Sequence, residues 1–346
     1  MNTTTSRWEI KTLVIIAIIT AIKFTQPLLF PLLFSFFLYL LFNPIVELLE
    51  RIKLPKALSA ALIVILLLGL ISSGITFLVK PASNWIEKAP EQFHIIEQKF
   101  GFLKESIGQI NKAAETAQSI TETHKKNEVS IATPGLDIGS SLFDLTTNIL
   151  ISISTLVILL FFLLIYFKSF IQNVEKMLFN KRKSGKENIF LLRLKNEVSR
   201  YMLIFSTICA GLGVTVAFTF WLLDFPNPLL WGAMAMFLTY IPYVGHLIGI
   251  IIITFISLIT YNTYLYIVTP PLFYFLLSVL EGHVITPIFL GNRLNLNPLI
   301  ILLNIFFWSW LWGISGIVIA VPLLVMLKIT LERLPNLSRY GLLLEN

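Results

Sequence analysis

The sequence predicts an all-α integral membrane protein of about eight transmembrane helices, with broken or re-entrant segments and one helical extracytoplasmic insertion. Charged residues make up 13% of the chain, about half of the roughly 25% typical of soluble domains. The mean hydropathy is +0.82, and several apolar runs approach or exceed the roughly 20 residues that cross a bilayer. The net charge of +7 lies mainly in short loops, where it sets topology, so we expect no nucleic-acid partner.

Residues 1–80 are predicted to hold the first three transmembrane helices. The first apolar run is short and lies between Lys11 and Lys23, whose side chains must extend toward the headgroups if it spans. No small-residue cleavage site follows this run, so we interpret it as a retained span rather than a signal peptide. The three predicted spans are Thr12–Ile22, Pro27–Val46 and Ala57–Val79.

Residues 81–143 are predicted to form an extracytoplasmic helical, coiled-coil-like segment. Its apolar residues recur with alternating spacings of three and four, which is typical of a coiled-coil seam. The seam either mediates subunit association, which would give a homo-oligomer, or belongs to a helical hairpin packed on itself at the membrane surface. The seam positions are Phe93, Ile96, Phe100, Leu103, Ile107, Ile110, Ala114 and Ala117.

The distribution of charge predicts the topology. Residues 168–200 carry nine Lys/Arg and three Glu, whereas residues 80–144 carry seven Lys and nine acidic residues. By the positive-inside rule, 168–200 is a cytoplasmic basic loop and 81–143 lies outside, joined by a fourth span within 144–167. The loop's alternative role is binding of anionic lipid or nucleic acid. The tail, 329–346, is also predicted to be cytoplasmic, as is the N-terminus.

Residues 201–328 are predicted to form the C-terminal transmembrane core. Its run from Leu229 to Thr260 is longer than one span requires and is interrupted by Pro242 and Gly245. It is therefore either one broken helix or a re-entrant hairpin followed by a span. The core also contains a short internal repeat (the internal echo), of the kind found between the halves of transporters. Its two copies are Asn227-Pro-Leu-Leu230 and Asn297-Pro-Leu-Ile300. The other predicted core spans are Tyr201–Leu223, Tyr264–Leu280 and Leu299–Leu327.

Polar residues and backbone breakers within the core are the candidate binding residues. A carboxylate in an apolar span is costly and faces a cavity or a partner, so Glu281 either binds a proton or ion, or pairs with Arg293 or a helix N-terminus. Prolines free backbone carbonyls that can bind a cation or polar solute, or they merely kink a helix. The predicted substrate- or ion-binding residues are Tyr240, Pro242, Tyr243, Gly245, His246, Gly249, Glu281, Thr286, Pro287, Gly291, Asn292, Arg293 and Asn304.

Three motifs in this core resemble a known family. They are Ile241-Pro-Tyr-Val-Gly245 with Gly249, then Glu281 with Pro287, Gly291 and Pro298, and finally Gly313-Ile-Ser-Gly316-Ile-Val-Ile-Ala-Val-Pro322. Together they resemble the AI-2E family of bacterial transporters, and the span outline is similar along the whole chain. This resemblance implies secondary transport across the bacterial cell (inner) membrane, with outward movement of a small polar solute such as the quorum-sensing signal autoinducer-2.

Two departures from the family pattern leave the substrate open. Family members often carry proline where this chain has His246, and Gly-Gln where it has Ile204-Phe205. Other members resemble Na⁺(Li⁺)/H⁺ antiporters, which makes antiport centred on Glu281 an alternative. A non-transporting membrane scaffold whose coiled-coil seam recruits partners is a further alternative.

The sequence lacks the motifs of several enzyme classes. It contains no phosphate-binding Gly-x4-Gly-Lys-Ser/Thr loop, no His-Glu-x-x-His zinc motif and no Gly-x-Ser-x-Gly nucleophile elbow. Its lone cysteine, Cys209, excludes an intramolecular disulfide. We therefore expect no enzymatic activity, no cofactor and no bound metal; the expected partners are the lipid bilayer and a small solute, monovalent cation or proton.

Overall fold

A computed structural model describes residues 3–87, 138–178, 190–290 and 296–333, and this part of the chain is built of α-helices. The fold class predicted from the sequence is confirmed. Several predictions lie outside the described residues. These are the coiled-coil seam, the middle of the basic loop at 179–189, the tail beyond 333, and the candidate site residues Gly291, Asn292 and Arg293.

Eleven α-helices and two π-helical turns make up the described part. α3 continues through a π-turn at Ile75–Val79 to residue 87, and α8 continues through a π-turn at Glu281–Ile285 into α9. The helices are α1 Thr3–Phe24, α2 Gln26–Arg51, α3 Lys56–Gly74, α4 Ile138–Leu178, α5 Phe190–Leu222, α6 Pro228–Leu238, α7 Val244–Thr260, α8 Tyr264–Leu280, α9 Thr286–Leu290, α10 Pro298–Trp312 and α11 Ile314–Arg333.

Six helical stretches in the described part are long and apolar enough to cross a membrane. They are Gln26–Arg51, Lys56–Glu87, Ile151–Val174, Leu191–Leu222, Tyr264–Leu290 and Ile314–Glu332. Three shorter apolar helices, α6, α7 and α10, accompany them. The first predicted run forms α1, which is not among the six, and the runs at 229–260 and 299–327 are not single spans.

α6 and α7 form a re-entrant hairpin, the first hairpin (residues 228–260). α6 has 11 residues, about 17 Å of helix against a hydrocarbon core of about 30 Å. The Tyr261 hydroxyl, just after α7, donates to the Asp224 carbonyl at 3.3 Å, and the Phe225 and Tyr261 rings lie 6.1 Å apart. Both ends of the hairpin therefore lie on one side of the bundle, which decides between the two alternatives for this run.

α10 and α11 form a second hairpin (residues 298–333), where the sequence predicted a single closing span. The break falls at Gly313, whose φ of +61° favours glycine over residues with a side chain. The Asn304 side-chain amide donates to the Ala320 carbonyl at 2.8 Å and ties the two helices together. The two Asn-Pro segments of the internal echo begin equivalent elements, since Asn227 and Asn297 are the N-cap residues of α6 and α10.

The two hairpins insert from opposite ends of the bundle. α5 runs from the end near Lys195 to the end near Asp224, and the first hairpin opens at the Asp224 end. The Trp312 indole, at the tip of the second hairpin, donates to the Ile22 carbonyl at 2.9 Å, beside the start of α2. The far end of α2 lies at the Lys195 end, where Glu47 meets Lys195. Oppositely directed, discontinuous helices are the arrangement found in transporters with inverted repeats.

α5 lies at the centre of the core and packs against both halves of the bundle. Gly213 on α5 and Gly232 on α6 face each other so closely that a Cβ on either would collide with the other's carbonyl, which lets the backbones touch. At the Lys195 end, the Lys195 ammonium lies 3.0 Å from a Glu47 carboxylate oxygen, which also accepts from Asn43 at 3.0 Å. This contact joins α5 to α2.

Candidate functional site

Glu281 is a buried carboxylate at the π-turn that follows α8, with only 4% of its surface exposed. One carboxylate oxygen accepts from the Thr286 hydroxyl at 2.5 Å, and the other lies 3.3 Å from the His246 Nε2. The prediction that this span ends at Leu280 is wrong, because the helix continues to Leu290. A π-turn accommodates an extra residue within a helix and is frequent at functional sites.

His246 belongs to the first turn of α7, at the tip of the first hairpin. Its side chain is 21% exposed, and its Nε2 has no partner with hydrogen-bond geometry in the described chain, although it lies in ion-pair range of Glu281. The Glu281 carboxylate therefore lies beside a helix N-terminus, whose dipole favours negative charge. The partner that the sequence suggested, Arg293, is outside the described residues.

The hairpin tip is held to α5 by polar and aromatic contacts. The Tyr240 hydroxyl donates to the Ser206 hydroxyl at 2.7 Å, and the Tyr240 and Phe205 rings meet edge-on at 5.5 Å. The carbonyl of Pro242 accepts from the Val244 amide at 2.7 Å. Tyr243 has a φ of +61° and is exposed; such a backbone conformation is uncommon for a residue other than glycine and is found at functional sites.

A groove of about 510 Å³ runs between α5 and the α8–α9 segment, and Glu281 is part of its wall. Its volume lies within the range of small-molecule sites. Thr207 and Thr215 line it on α5, but both hydroxyls donate to carbonyls of their own helix, which leaves Glu281 as the charged group of the wall. The lining residues are Leu203, Ile204, Thr207, Ile208, Gly211, Leu212, Thr215, Leu277, Leu280, Glu281, Ile285 and Phe289.

The two candidate glycines of the first hairpin have packing roles. A Cβ at Gly245 would collide with the Leu238 carbonyl, and one at Gly249 would collide with the Tyr274 phenol. Two other candidates lie apart from the carboxylate: Pro287 is exposed within α9, and Asn304 is engaged in the second hairpin. The structure thus brings Glu281, His246 and Thr286 together and places Tyr240, Pro242 and Tyr243 at the adjoining tip.

Three residues near Glu281 were not among the predicted site residues. Tyr274 and Ser278 lie on the face of α8 that leads to Glu281, and Cys209 on α5 is within electrostatic range of it. The spacings of four and three between residues 274, 278 and 281 mark one helical face, a signal present in the sequence. The described residues contain no group of three or more His, Cys, Asp or Glu that could hold a metal ion.

A multi-pass helical bundle with two oppositely inserted hairpins, and with a buried carboxylate in the wall of a solute-sized groove, is typical of a membrane transport protein. Comparison with known families agrees. The family described as "AI-2E family transporter" matches residues 13–336, and the chain therefore belongs to this family.

Relatives of known name are similar to the chain over most of its length. "Putative transport protein YueF" of Bacillus subtilis is 26% identical over 345 residues, covering 94% of this chain and 90% of the relative. "AI-2 transport protein TqsA" of Escherichia coli is 20% identical over 319 residues, covering 92% and 90%. A "Putative transport protein" of Borreliella burgdorferi is 29% identical over 196 residues, covering 56% and 53%, so that match spans about half of each protein.

Proposed function

We propose that the protein is a secondary transporter that moves a small polar solute of the autoinducer-2 type outward across the bacterial cell (inner) membrane. One observation carries the proposal: the buried Glu281 carboxylate lines the groove and contacts the tip of a re-entrant hairpin. A charged group in this position is expensive to bury and is typically retained for binding or coupling. The similarity to a protein named for AI-2 transport supports the solute class.

The groove suits a small solute with both apolar and polar surfaces. Its wall is apolar except for Glu281 and the two threonines. One carboxylate oxygen accepts from the Thr286 hydroxyl, and the other lies 3.3 Å from the His246 imidazole. Hydroxyl groups of a bound solute would compete for the same oxygens, because a carboxylate accepts several hydrogen bonds. Solute binding and displacement of the hairpin tip would then be linked through Glu281.

The charges support a topology. From the net positive charge of 168–200 we infer that the Lys195 end of the bundle and both termini are cytoplasmic. The first hairpin would then enter from outside and bring His246 to Glu281, toward the cytoplasmic half of the membrane. A solute would reach Glu281 through the groove from the cytoplasmic half and leave when the hairpin tip moves.

The test is efflux of autoinducer-2 from sealed vesicles that contain the purified protein. We expect wild-type protein to release the solute and Glu281→Gln, which keeps the shape but removes the charge, to lower the rate at least tenfold. Asp224→Asn is the matched control, since Asp224 is an exposed carboxylate at the other end of α5, and should transport like the wild type.

The same vesicles separate the alternatives. An internal pH change driven by Na⁺ or Li⁺ and lost in Glu281→Gln, without movement of autoinducer-2, would replace solute export by cation/proton antiport. If neither autoinducer-2 efflux nor a cation-driven pH change is observed, the protein is better explained as a non-transporting scaffold.

A further inference from the structure

A second groove lies at the Lys195 end of the bundle. It has a volume of about 230 Å³, lies between α2, α4, α5 and α11, and shares no lining residue with the groove at Glu281. Its lining residues are apolar except for Lys195, and they include Phe36, Phe167, Phe170 and Leu194. We call it the second groove. The proposed transport site makes no use of it, so its occupant is a separate question.

The position of Phe170 shows where the second groove opens. Phe170 is 61% exposed and lies in Ile151–Val174, one of the six stretches that can cross a membrane. The Phe167 ring meets the Phe36 ring edge-on at 5.3 Å and lies 6.2 Å from the Phe170 ring, so aromatic side chains of α2 and α4 form one wall. Because Phe170 is exposed within a span, the groove opens on a surface that faces lipid.

The size and lining of the second groove favour part of a lipid over a whole solute. A volume of about 230 Å³ is below the roughly 300–1,000 Å³ of typical small-molecule pockets. An acyl chain needs only a short apolar channel, since the rest of the chain stays in the hydrocarbon of the bilayer. A free water-soluble anion would lose its hydration among these apolar side chains without gaining hydrogen bonds.

Three lysines and two glutamates form one charged cluster at the same end. Lys195 belongs to the groove wall, and its ammonium lies 3.0 Å from a Glu47 carboxylate oxygen. Lys56 is within electrostatic range of Lys168, Lys195, Glu47 and Glu50, and Lys168 is also within range of Glu47. Three positive and two negative charges leave this cluster with a net charge of +1. Like charges held close together favour the binding of an anion.

Lys168 lies at the edge of the second groove. It follows Phe167 and lies three residues before Ile171, and both of these residues line the groove. The α4 part of the wall, residues 167–174, forms the last two turns of the span Ile151–Val174. The groove therefore lies at the depth where the hydrocarbon core meets the lipid headgroups. Lysine side chains near the ends of spans extend toward this level.

We propose that the second groove binds one anionic phospholipid, with its phosphate at Lys168 and Lys56 and part of one acyl chain against Phe167 and Phe170. A phosphodiester headgroup carries one negative charge, which matches the net charge of the cluster. Basic pockets between transmembrane helices bind anionic headgroups in this way. The lipid fills the apolar groove and neutralises the excess charge where α2, α4 and α5 meet. The site does not rest on the proposed transport function.

The test is native mass spectrometry of the full-length protein in a mild detergent, titrated with phosphatidylglycerol or with zwitterionic phosphatidylcholine. We expect the first phosphatidylglycerol to bind at least tenfold more tightly than the first phosphatidylcholine. Lys168→Gln removes one charge at the groove edge and should weaken phosphatidylglycerol binding about fivefold. Leu194→Trp fills the groove without changing a charge and should weaken it by at least as much.

Lys53→Gln is the matched control. It removes an exposed cation from the turn between α2 and α3, and phosphatidylglycerol binding should stay within twofold of the wild type. Equal losses in Lys53→Gln and Lys168→Gln would show a diffuse attraction to positive charge and overturn the site. Thermal unfolding without added lipid identifies any variant that fails to fold, and Lys168→Gln decides if Leu194→Trp is one of them.

Three further results would overturn the proposal. The first is equal affinity for the two lipids, which would remove the role of the lysines. The second is unchanged phosphatidylglycerol binding in a folded Lys168→Gln or Leu194→Trp variant. The third is loss of phosphatidylglycerol binding in excess inorganic phosphate, which would replace the lipid site by a site for a free anion.

Discussion

Replacing Glu47 by glutamine tests how the two halves of the bundle are held together. The Lys195 ammonium lies 3.0 Å from a Glu47 oxygen, with 2% of the lysine side chain and 36% of the glutamate side chain exposed. Lys168 and Lys56 are within electrostatic range of the same carboxylate. Glu47→Gln therefore leaves a buried ammonium without its counter-charge and beside two other cations.

The expected loss of stability depends on which member of the Glu47–Lys195 ion pair is buried. Breaking a buried ion pair from one side costs about 3–5 kcal/mol. Glu47 is about a third exposed, so water reaches the pair and we expect the lower part of that range, about 2–3 kcal/mol. Lys195→Met removes the buried charge itself and leaves Glu47 in contact with water and Asn43, so it should cost less than about 1 kcal/mol. The double variant should resemble Lys195→Met.

The measurement is a double-mutant cycle on the free energy of unfolding in one mild detergent, with Glu50→Gln on the same helix as the control. We expect the control to change stability by less than about 0.5 kcal/mol. A coupling energy of about 2 kcal/mol between Glu47 and Lys195 would agree with the buried geometry. Equal costs for the two single variants, with no coupling, would refute the reasoning that Lys195 depends on this carboxylate.

Two further substitutions test the packing of each hairpin. Gly249→Ala places a methyl group against the buried Tyr274 ring and should destabilise the protein by about 1–3 kcal/mol in the same unfolding assay. Gly282→Ala is the control, because the space around its Cβ position is open, and it should be neutral or slightly stabilising. A neutral Gly249→Ala would contradict the close approach of Gly249 and Tyr274. Trp312→Phe removes the indole that donates to the Ile22 carbonyl. It should lower the free energy of unfolding by about 1 kcal/mol and speed amide hydrogen exchange in α1. Unchanged exchange would show that this hydrogen bond does not hold α1 in place.

The break within the first hairpin could be predicted from the sequence, but its geometry could not, and the break in the second hairpin was missed. Pro242 and Gly245 predicted an interruption of the apolar run. That the chain turns back as a hairpin is shown only by the contact between Tyr261 and Asp224, which are far apart in the chain. Gly313 and Gly316 were noted only as part of a family motif, and the closing run was predicted as one helix. A break in the middle of an apolar run bends the chain by an angle that depends on what packs against it, and that partner is not local in sequence.

The candidate site divides in the same way. Glu281 stood out because a carboxylate in an apolar run is costly wherever it lies. Its partners His246 and Thr286 were both candidates, and a helix N-terminus was one of the two partners that the sequence proposed; the other, Arg293, lies outside the described residues. Tyr274 and Ser278 were not predicted as site residues, because a tyrosine or serine in an apolar helix carries no functional signal until its neighbours in the fold are known.

The sequence by itself determined that this chain is a multi-pass helical membrane protein and that the run from Leu229 to Thr260 is interrupted, and its motifs indicated the family. These properties depend on composition, on hydrophobic run length and on local backbone chemistry. Only the tertiary structure decided that the two hairpins insert from opposite ends, that Glu281 faces His246, and that Tyr274 packs against Gly249. Each of these is a relation between helices distant in sequence, and such relations are set by how helical surfaces pack rather than by any one segment.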